Sequence, residues 1–269
     1  MTQETTPTLW TNHNHELADR LQAPARLLVA CDFDGTLAPL VADPAKAAAL
    51  PEALAALRRL NALPGITLAL ISGRRIDDLA PRVPLPAAIL IGNHGLEMRG
   101  LGPDGTHGQP EECRPRLERL MAAAHAALGD VPGLRVEDKL LTVSIHYREA
   151  DPAQHGRIAE EIARLTTAEK GVVLHQGKMV WEWKPDSPWN KGTALYLLRR
   201  KLNIPPEATL FFGDDATDEY AFRALKNGHT FFVGPETAAT AARHRLENPA
   251  AVATFLHWLA GQRSLAAAS

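Results

Sequence analysis

Asp32 and Asp34 stand two residues apart at the end of the apolar run Leu27-Leu28-Val29-Ala30-Cys31, and Gly35 and Thr36 follow at once. A short apolar run bounded by turn residues suits a buried strand of a parallel sheet. Open α/β sheets bind ligands beyond the carboxyl ends of their strands, where both acids would sit. Two carboxylates so close repel each other unless a cation lies between them, so the pair points to metal-assisted chemistry or to split acid and base roles. The alternative is an N-cap followed by a turn aspartate. Three further polar clusters fall in comparable places: Ser72-Gly73-Arg74, Lys191, and Asp214-Asp215-Ala216-Thr217-Asp218. Taken singly, each has a plain structural explanation: Ser72 a turn residue, Lys191 a solvated lysine at a helix start, Asp214-Asp215 a helix cap.

The elements that would position these residues follow from periodicity. Leu50 to Asn61 has helical spacing and stops at Leu63-Pro64-Gly65. Ile66 to Ile71 is a second apolar strand, a helix through Leu79 comes next, and Ala87 to Ile91 is a third strand. That alternation predicts a doubly wound parallel sheet. The pattern then changes. A Gly- and Pro-rich loop covers 100–110, a helix Arg114–Leu128, strands at 134–138 and 140–148, and a helix from Asp151 to Ala168. Strands at 172–176 and 179–184 complete an antiparallel α+β pattern. From Pro185 the parallel pattern resumes: a helix Lys191–Leu202, a strand Thr209–Phe212, a helix 220–226, a strand His229–Val233 and an amphipathic helix 250–260 with frayed residues after it. The predicted organisation is a Rossmann-like α/β core of residues 1–107 and 185–269, interrupted by an α+β domain at 108–184.

Composition narrows the function classes. A net charge of −2 without a basic stripe argues against nucleic-acid binding. No stretch of 18 apolar residues suggests a membrane span, and the polar start to Gln22 shows no signal-peptide pattern, only a loose leader entering a short helix. Cys31 and Cys113 lie far apart, so a disulfide is not expected and a reducing cytoplasm fits.

Asp-Phe-Asp-Gly-Thr-Leu after a hydrophobic strand, with Ser72, Lys191 and Asp214 to Asp218 following in order, resembles the four motifs of the haloacid dehalogenase (HAD) phosphatase superfamily. The resemblance implies an aspartyl-phosphate on Asp32 as nucleophile, with Asp34 as general acid and then base. It makes Thr36 and Ser72 donors to phosphoryl oxygens and Lys191 the neutralising cation. Asp32, the carbonyl of Asp34, and Asp214 would hold Mg²⁺, with Asp218 orienting Lys191 and Asp215 anchoring a metal-bound water. It also counts Gly73, Arg74, Asn93 and His94 among the substrate-binding residues. P-loop, His-Glu-x-x-His and Gly-x-Ser-x-Gly patterns are absent.

Strand parity in the inserted domain puts His146 and Arg148 on a polar face, and Lys178, Val180, Glu182 and Lys184 on one face opposite Met179, Trp181 and Trp183. If the charged face closes over the core's strand ends, Glu137, Lys139, Arg148, Lys178 and Glu182 line a cleft whose mixed charges suit a polyol. The alternative is a solvated face with cross-strand ion pairs. Trp181 and Trp183 are expected to pack beneath the helices. Gly92-Asn93-His94-Gly95-Leu96-Glu97, Val136-Glu137-Asp138-Lys139, His146-Tyr147-Arg148 and Gly177-Lys178-Met179-Val180-Trp181-Glu182, with Gly213 to Glu219, are similar to the trehalose-6-phosphate phosphatase family. Departures are Leu140, where a Gly is expected, and the two tryptophans. The resemblance implies a C2-type cap, cap residues that hold glucosyl groups, a stand-alone monomer acting on trehalose 6-phosphate in the cytoplasm, and no nucleic-acid or membrane partner. Alternatives are a phosphatase for sucrose 6-phosphate or mannosyl-3-phosphoglycerate, or a silent HAD-like binding protein. The silent form should lack one of Asp32, Asp34, Lys191 and Asp214, and all four are present.

Overall fold

The computed structural model describes residues 7–102, 104–106, 110–177 and 179–268. The chain divides into two compact units, Met1–Gly105 with Trp189–Ser269, and Thr106–Pro188. In chain order the first stretch carries β1 (Thr8–Leu9), α1 (Asn14–Gln22), β2 (Leu27–Cys31), α2 (Pro51–Asn61), β3 (Ile66–Ile71), α3 (Ile76–Leu79), β4 (Ile89–Gly92), β5 (Glu97–Arg99) and β6 (Gly105–Thr106). The second unit holds α4 (Arg114–Leu128), β7 (Arg135–Asp138), β8 (Val143–His146), α5 (His155–Ala168), β9 (Val172–Gly177) and β10 (Val180–Pro185). The return adds α6 (Lys191–Leu202), β11 (Thr209–Gly213), α7 (Glu219–Ala224), β12 (His229–Val233), β13 (His244–Leu246) and α8 (Pro249–Ala268).

The larger sheet has the order β1-β13-β12-β11-β2-β3-β4-β5-β6, parallel from β1 through β4, with β5 antiparallel to β4. Every residue of β2, β11 and β12 is buried, as strands covered by helices on both faces must be. Helices α2 and α8 pack together. Their buried Leu57, Leu60, Phe255, Leu256 and Leu259 join the sheet in one core.

Four expectations need correction. The leader is not loose from Pro7 onward: β1 pairs with β13, and Trp10 packs against Phe255 and Trp258 at ring-centroid distances of 5.0 and 5.3 Å. The 250–260 helix runs on to Ala268, pinned where Arg263 donates to the carbonyls of Leu21, Gln22, Pro24 and Ala25. Strands β5 and β13 were not expected. The strand placed at 140–148 is only β8, so Arg148 lies in an exposed turn two residues beyond it.

His229 and His244 stack on neighbouring strands with ring centroids 6.4 Å apart. Burial first, and for His244 then the charge of His229, lowers each to about 4. The unfolded chain therefore takes up protons between about pH 6.5 and 4 that the folded chain refuses. This stabilisation is present in full above pH 6.5 and is lost as pH falls towards 4. Unfolding by urea at pH 7 and pH 5 should show a loss on the order of a few kcal/mol, much reduced when both histidines are replaced by Gln.

In the second unit the antiparallel sheet runs β7-β8-β10-β9. Its apolar face gathers Val143, Ile145 and Trp183 against Leu117, Leu120, Ile158 and Ile162 of α4 and α5. Trp183 is wholly buried and donates its indole N–H to Thr166 of α5 at 2.7 Å; Trp181 is packed against the same core. Both tryptophans thus lie beneath the helices. Leu140 occupies the β7–β8 turn with φ +65° and is 44% exposed, and the Leu141 N–H donates to the Lys139 carbonyl at 2.8 Å across it. A γ-turn with positive φ strains any residue with a Cβ. Leu140→Gly should therefore raise stability, by about 0.5–1 kcal/mol after the entropic cost of glycine, measured as a shift in urea midpoint at unchanged slope.

Candidate active site

The sheet register brings the polar clusters to one edge. Asp32 follows β2, Ser72 follows β3 and Asp214 follows β11, three adjacent parallel strands in which Cys31 is level with both Phe212 and Leu70. The ladder continues into the site: Asp32 N–H donates to the Phe212 carbonyl, and Ser72 N–H to that of Ile91, each at 2.9 Å.

Lys191 is the first residue of α6, whose N-cap Asn190 accepts from the N–H groups of Gly192 and Thr193. Its ammonium lies 3.0 Å from Asp32 Oδ1 and 2.8 Å from Asp218 Oδ1, with all three side chains almost completely buried. The second oxygen of Asp218 accepts from the N–H groups of Asp214 and Asp215 at 3.1 and 3.0 Å, which shapes the loop after β11. Asp215 turns its own Oδ1 to Ala216 N–H at 2.6 Å.

Burial pushes the Asp32 carboxyl well above its ordinary range. Lys191 opposes that, while Asp218, Asp214 and Asp34 reinforce it. For Lys191, burial pulls downward, but Asp218 and Asp32 outweigh it and hold the ammonium above the usual lysine value. Asp32, Asp34, Asp214 and Asp218 gather four carboxylates here, with Lys191 against Asp32 and Arg74 against Asp34. A site with this excess of carboxylate oxygens favours a hard divalent cation. Oxygens of Asp32, Asp214 and Asp218 lie within 4.8 Å of one another. Gly35, at φ +78°, lets the Asp214 carboxylate approach so closely that a Cβ there would lie 2.2 Å from Oδ2. The donor set therefore fits Mg²⁺.

On the neighbouring strand ends, Ser72 Oγ accepts from Arg74 N–H at 3.2 Å. Arg74 is not open to solvent; it grips Asp34 through Nε and Nη2, both at 2.7 Å. Asn93 and His94, both at positive φ, donate their backbone N–H groups to the carbonyls of Arg74 and Ser72 at 2.8 and 3.0 Å. The His94 ring lies against Gly73, where a Cβ would come within 2.5 Å of it. Glu97 fastens this turn by accepting from Asn93 Nδ2 and from Ile76 N–H. Thr36 is wholly buried, and its hydroxyl has no partner among the described residues. The structure thus brings Asp32, Asp214, Asp218 and Lys191 together at one point, with Asp34, Ser72 and Arg74 beside them. Asp78, Arg82 and Glu97 were missed. Arg74, Asp78 and Arg82 do recur at i, i+4, i+8 with alternating sign, a visible signal of a charged ladder.

In the second unit, Glu137, Ser144, Glu182 and His175 form one cross-strand row on the face opposite the helices. Glu182 is 7% exposed and accepts from Lys139 Nζ, Thr142 Oγ1 and Ser144 Oγ at 3.2, 3.2 and 3.3 Å. Glu137 pairs with His146 at 2.7 Å, a bond that holds its carboxyl below the ordinary range against the cost of burial. Lys178 lies outside the described residues.

A mostly parallel sheet with an acidic carboxyl edge, joined to a separate antiparallel sheet under two helices, is a HAD-like phosphatase architecture. The trehalose-phosphatase family profile matches residues 30–250. A trehalose-phosphate phosphatase of Mycobacterium marinum is 38% identical over 270 residues, covering 94% of this chain and 68% of that protein. One from Mycobacterium tuberculosis is 38% identical over 260 residues, covering 91% and 64%. The chain thus spans about two thirds of these relatives' length. The C-terminal domain of Candida albicans trehalose-6-phosphate phosphatase superposes with a TM-score of 0.82 at 26% identity, covering 97% of this chain and 99% of that one. This chain belongs to the trehalose-phosphatase family.

Proposed function

We propose that the chain hydrolyses trehalose 6-phosphate to trehalose and inorganic phosphate, with the core unit performing the chemistry and the polar sheet face of residues 106–188 reading the sugar. The observation that carries the chemical part is the buried contact of Lys191 with both Asp32 and Asp218 at the strand ends; family membership supports the substrate. A carboxylate oxygen of Asp32 attacks phosphorus and the bond to the sugar oxygen breaks. Asp34 gives that oxygen its proton. Water then attacks the phosphorus of the aspartyl-phosphate, Asp34 takes the water's proton, and the bond to Asp32 breaks to restore its carboxylate. Lys191, and the hydroxyl of Ser72, which can donate while its lone pair accepts from Arg74, stabilise charge on the phosphoryl oxygens. Asp32, Asp214 and the Asp34 carbonyl would hold Mg²⁺, which when bound supplies Lewis-acid stabilisation of those oxygens. Hydroxyl-rich rings match the alternating acids, hydroxyls and amines around Glu137, Lys139, Ser144 and Glu182.

The test is phosphate release, with Mg²⁺ and with excess chelator, from trehalose 6-phosphate, glucose 6-phosphate and sucrose 6-phosphate. A preference for trehalose 6-phosphate of about 100-fold, roughly 3 kcal/mol in the transition state, lost on chelation, supports the proposal. Equal rates would refute the substrate assignment, and no release from any would refute the chemistry.

A further inference from the structure

The guanidinium of Arg74 is enclosed. The residue is 8% exposed, its Cζ lies 5.3 Å from the Phe33 ring centroid, and four of its N–H donors are engaged: two with Asp34, one with Asp78 at 2.6 Å, one with the Pro44 carbonyl at 2.8 Å. A guanidinium has five such donors, so little of it remains for a phosphate. The ladder goes on. Asp78 Oδ1 accepts from Arg82 Nη2 at 2.7 Å, and Arg82 Nη1 donates to the carbonyls of Ala47 and Ala45 at 2.5 and 3.1 Å.

Asp34, in contrast, is 35% exposed in its side chain and grips Arg74 with both oxygens. A two-bond fork fixes a carboxylate's plane as well as its position, which a single bond does not. From this geometry we infer that Arg74 is a positioning residue for Asp34, itself held in place by Asp78, Arg82 and the 44–47 segment. This inference rests on the acid role proposed above for Asp34.

A residue that aims a general acid matters most where the leaving oxygen needs a proton. An alkoxide does; a nitrophenolate leaves with little help. Because Asp34 also serves as base when the aspartyl-phosphate is hydrolysed, a step common to all substrates, the experiment reads the first step alone: the single-turnover rate, with enzyme in excess, of trehalose release from trehalose 6-phosphate and of nitrophenolate release from p-nitrophenyl phosphate, in the wild-type chain, Arg74→Ala, Arg74→Lys and Asp78→Asn. Arg74→Ala should slow trehalose release by about 100-fold while nitrophenolate release stays within about 3-fold. Arg74→Lys should recover little of the loss, since an ammonium cannot fork, and Asp78→Asn should show the same bias at smaller size. Retained nitrophenolate release also reports an intact fold.

Equal slowing of both releases in Arg74→Ala and Arg74→Lys, or weaker saturation at an unchanged maximal single-turnover rate, would overturn the inference and make Arg74 a structural or phosphate-binding residue. An unchanged rate of trehalose release would overturn it as well. The wild-type chain judges the underlying reading separately: if it cleaves another alkyl phosphate but not trehalose 6-phosphate, the substrate assignment fails and the Arg74 comparison is made with that substrate.

Discussion

Replacing Asp32 by Asn is expected to lower turnover by about four orders of magnitude or more while leaving the fold at least as stable as before. The two effects have one origin. Asp32 is 4% exposed, and the carboxylates of Asp218, Asp214 and Asp34 crowd it, with Lys191 as its only cationic contact within 4 Å among the described residues. Burial and like charges both disfavour its ionised form. The amide has nearly the same shape and can still accept from Lys191, yet carries no charge and cannot attack phosphorus. Loss of activity should therefore come with a melting temperature raised by a few degrees in metal-free buffer. A reactive group held against its own stability commonly behaves this way. Activity within about 10-fold of the wild type would remove Asp32 from the nucleophile's role; a large fall in melting temperature would show that its charge supports the fold.

Lys191→Met should lose activity as fully and stability as well. The ammonium lies between Asp32 and Asp218, is 2% exposed, and is the cation that both carboxylates share. Methionine fills much of the same volume, so packing is nearly kept and the change isolates charge. Removing one partner of a buried pair leaves the other uncompensated, at a cost of about 3–5 kcal/mol. Asp218 also carries the N–H groups of Asp214 and Asp215, so the loop after β11 should loosen with it. Urea unfolding of Lys191→Met and Asp32→Asn side by side gives opposite signs on this account. Adding Asp218→Asn to Lys191→Met should recover part of the lost stability and none of the activity.

Much of this site can be found in the sequence because each polar residue abuts a strongly patterned element. Leu27–Cys31 and Ile66–Ile71 are apolar runs with abrupt ends, and the predicted boundaries coincide with β2 and β3. Their parallel alignment then places Asp32 and Ser72 on one edge without further information. The residues that escaped are those whose environment is made by distant chain. Glu97-Met98-Arg99 and His244-Arg245-Leu246 carry one apolar residue each, too few for a period, and become strands only because β4 and β12 present an open ladder. Trp10 looks isolated in sequence and is buried by Phe255 and Trp258 from the last helix. The resemblance placed Arg74 among substrate contacts, whereas its fork on Asp34 depends on the return of the loop through Pro44. Spacing shows that Arg74, Asp78 and Arg82 can interact, but not which of them faces the site.

If phosphate leaves the sugar by way of Asp32, as proposed, the enzyme passes through an aspartyl-phosphate. The most direct measurement is a single turnover of ³²P-labelled trehalose 6-phosphate with Mg²⁺, quenched on the millisecond scale, with the protein digested and its labelled peptide identified by mass spectrometry. A transient phosphoryl group is expected on the peptide containing Asp32. It should form as trehalose appears, decay as inorganic phosphate appears, and be absent in Asp32→Asn. Full release of phosphate with no label on the protein at any time would contradict that route and assign the attack on phosphorus to water.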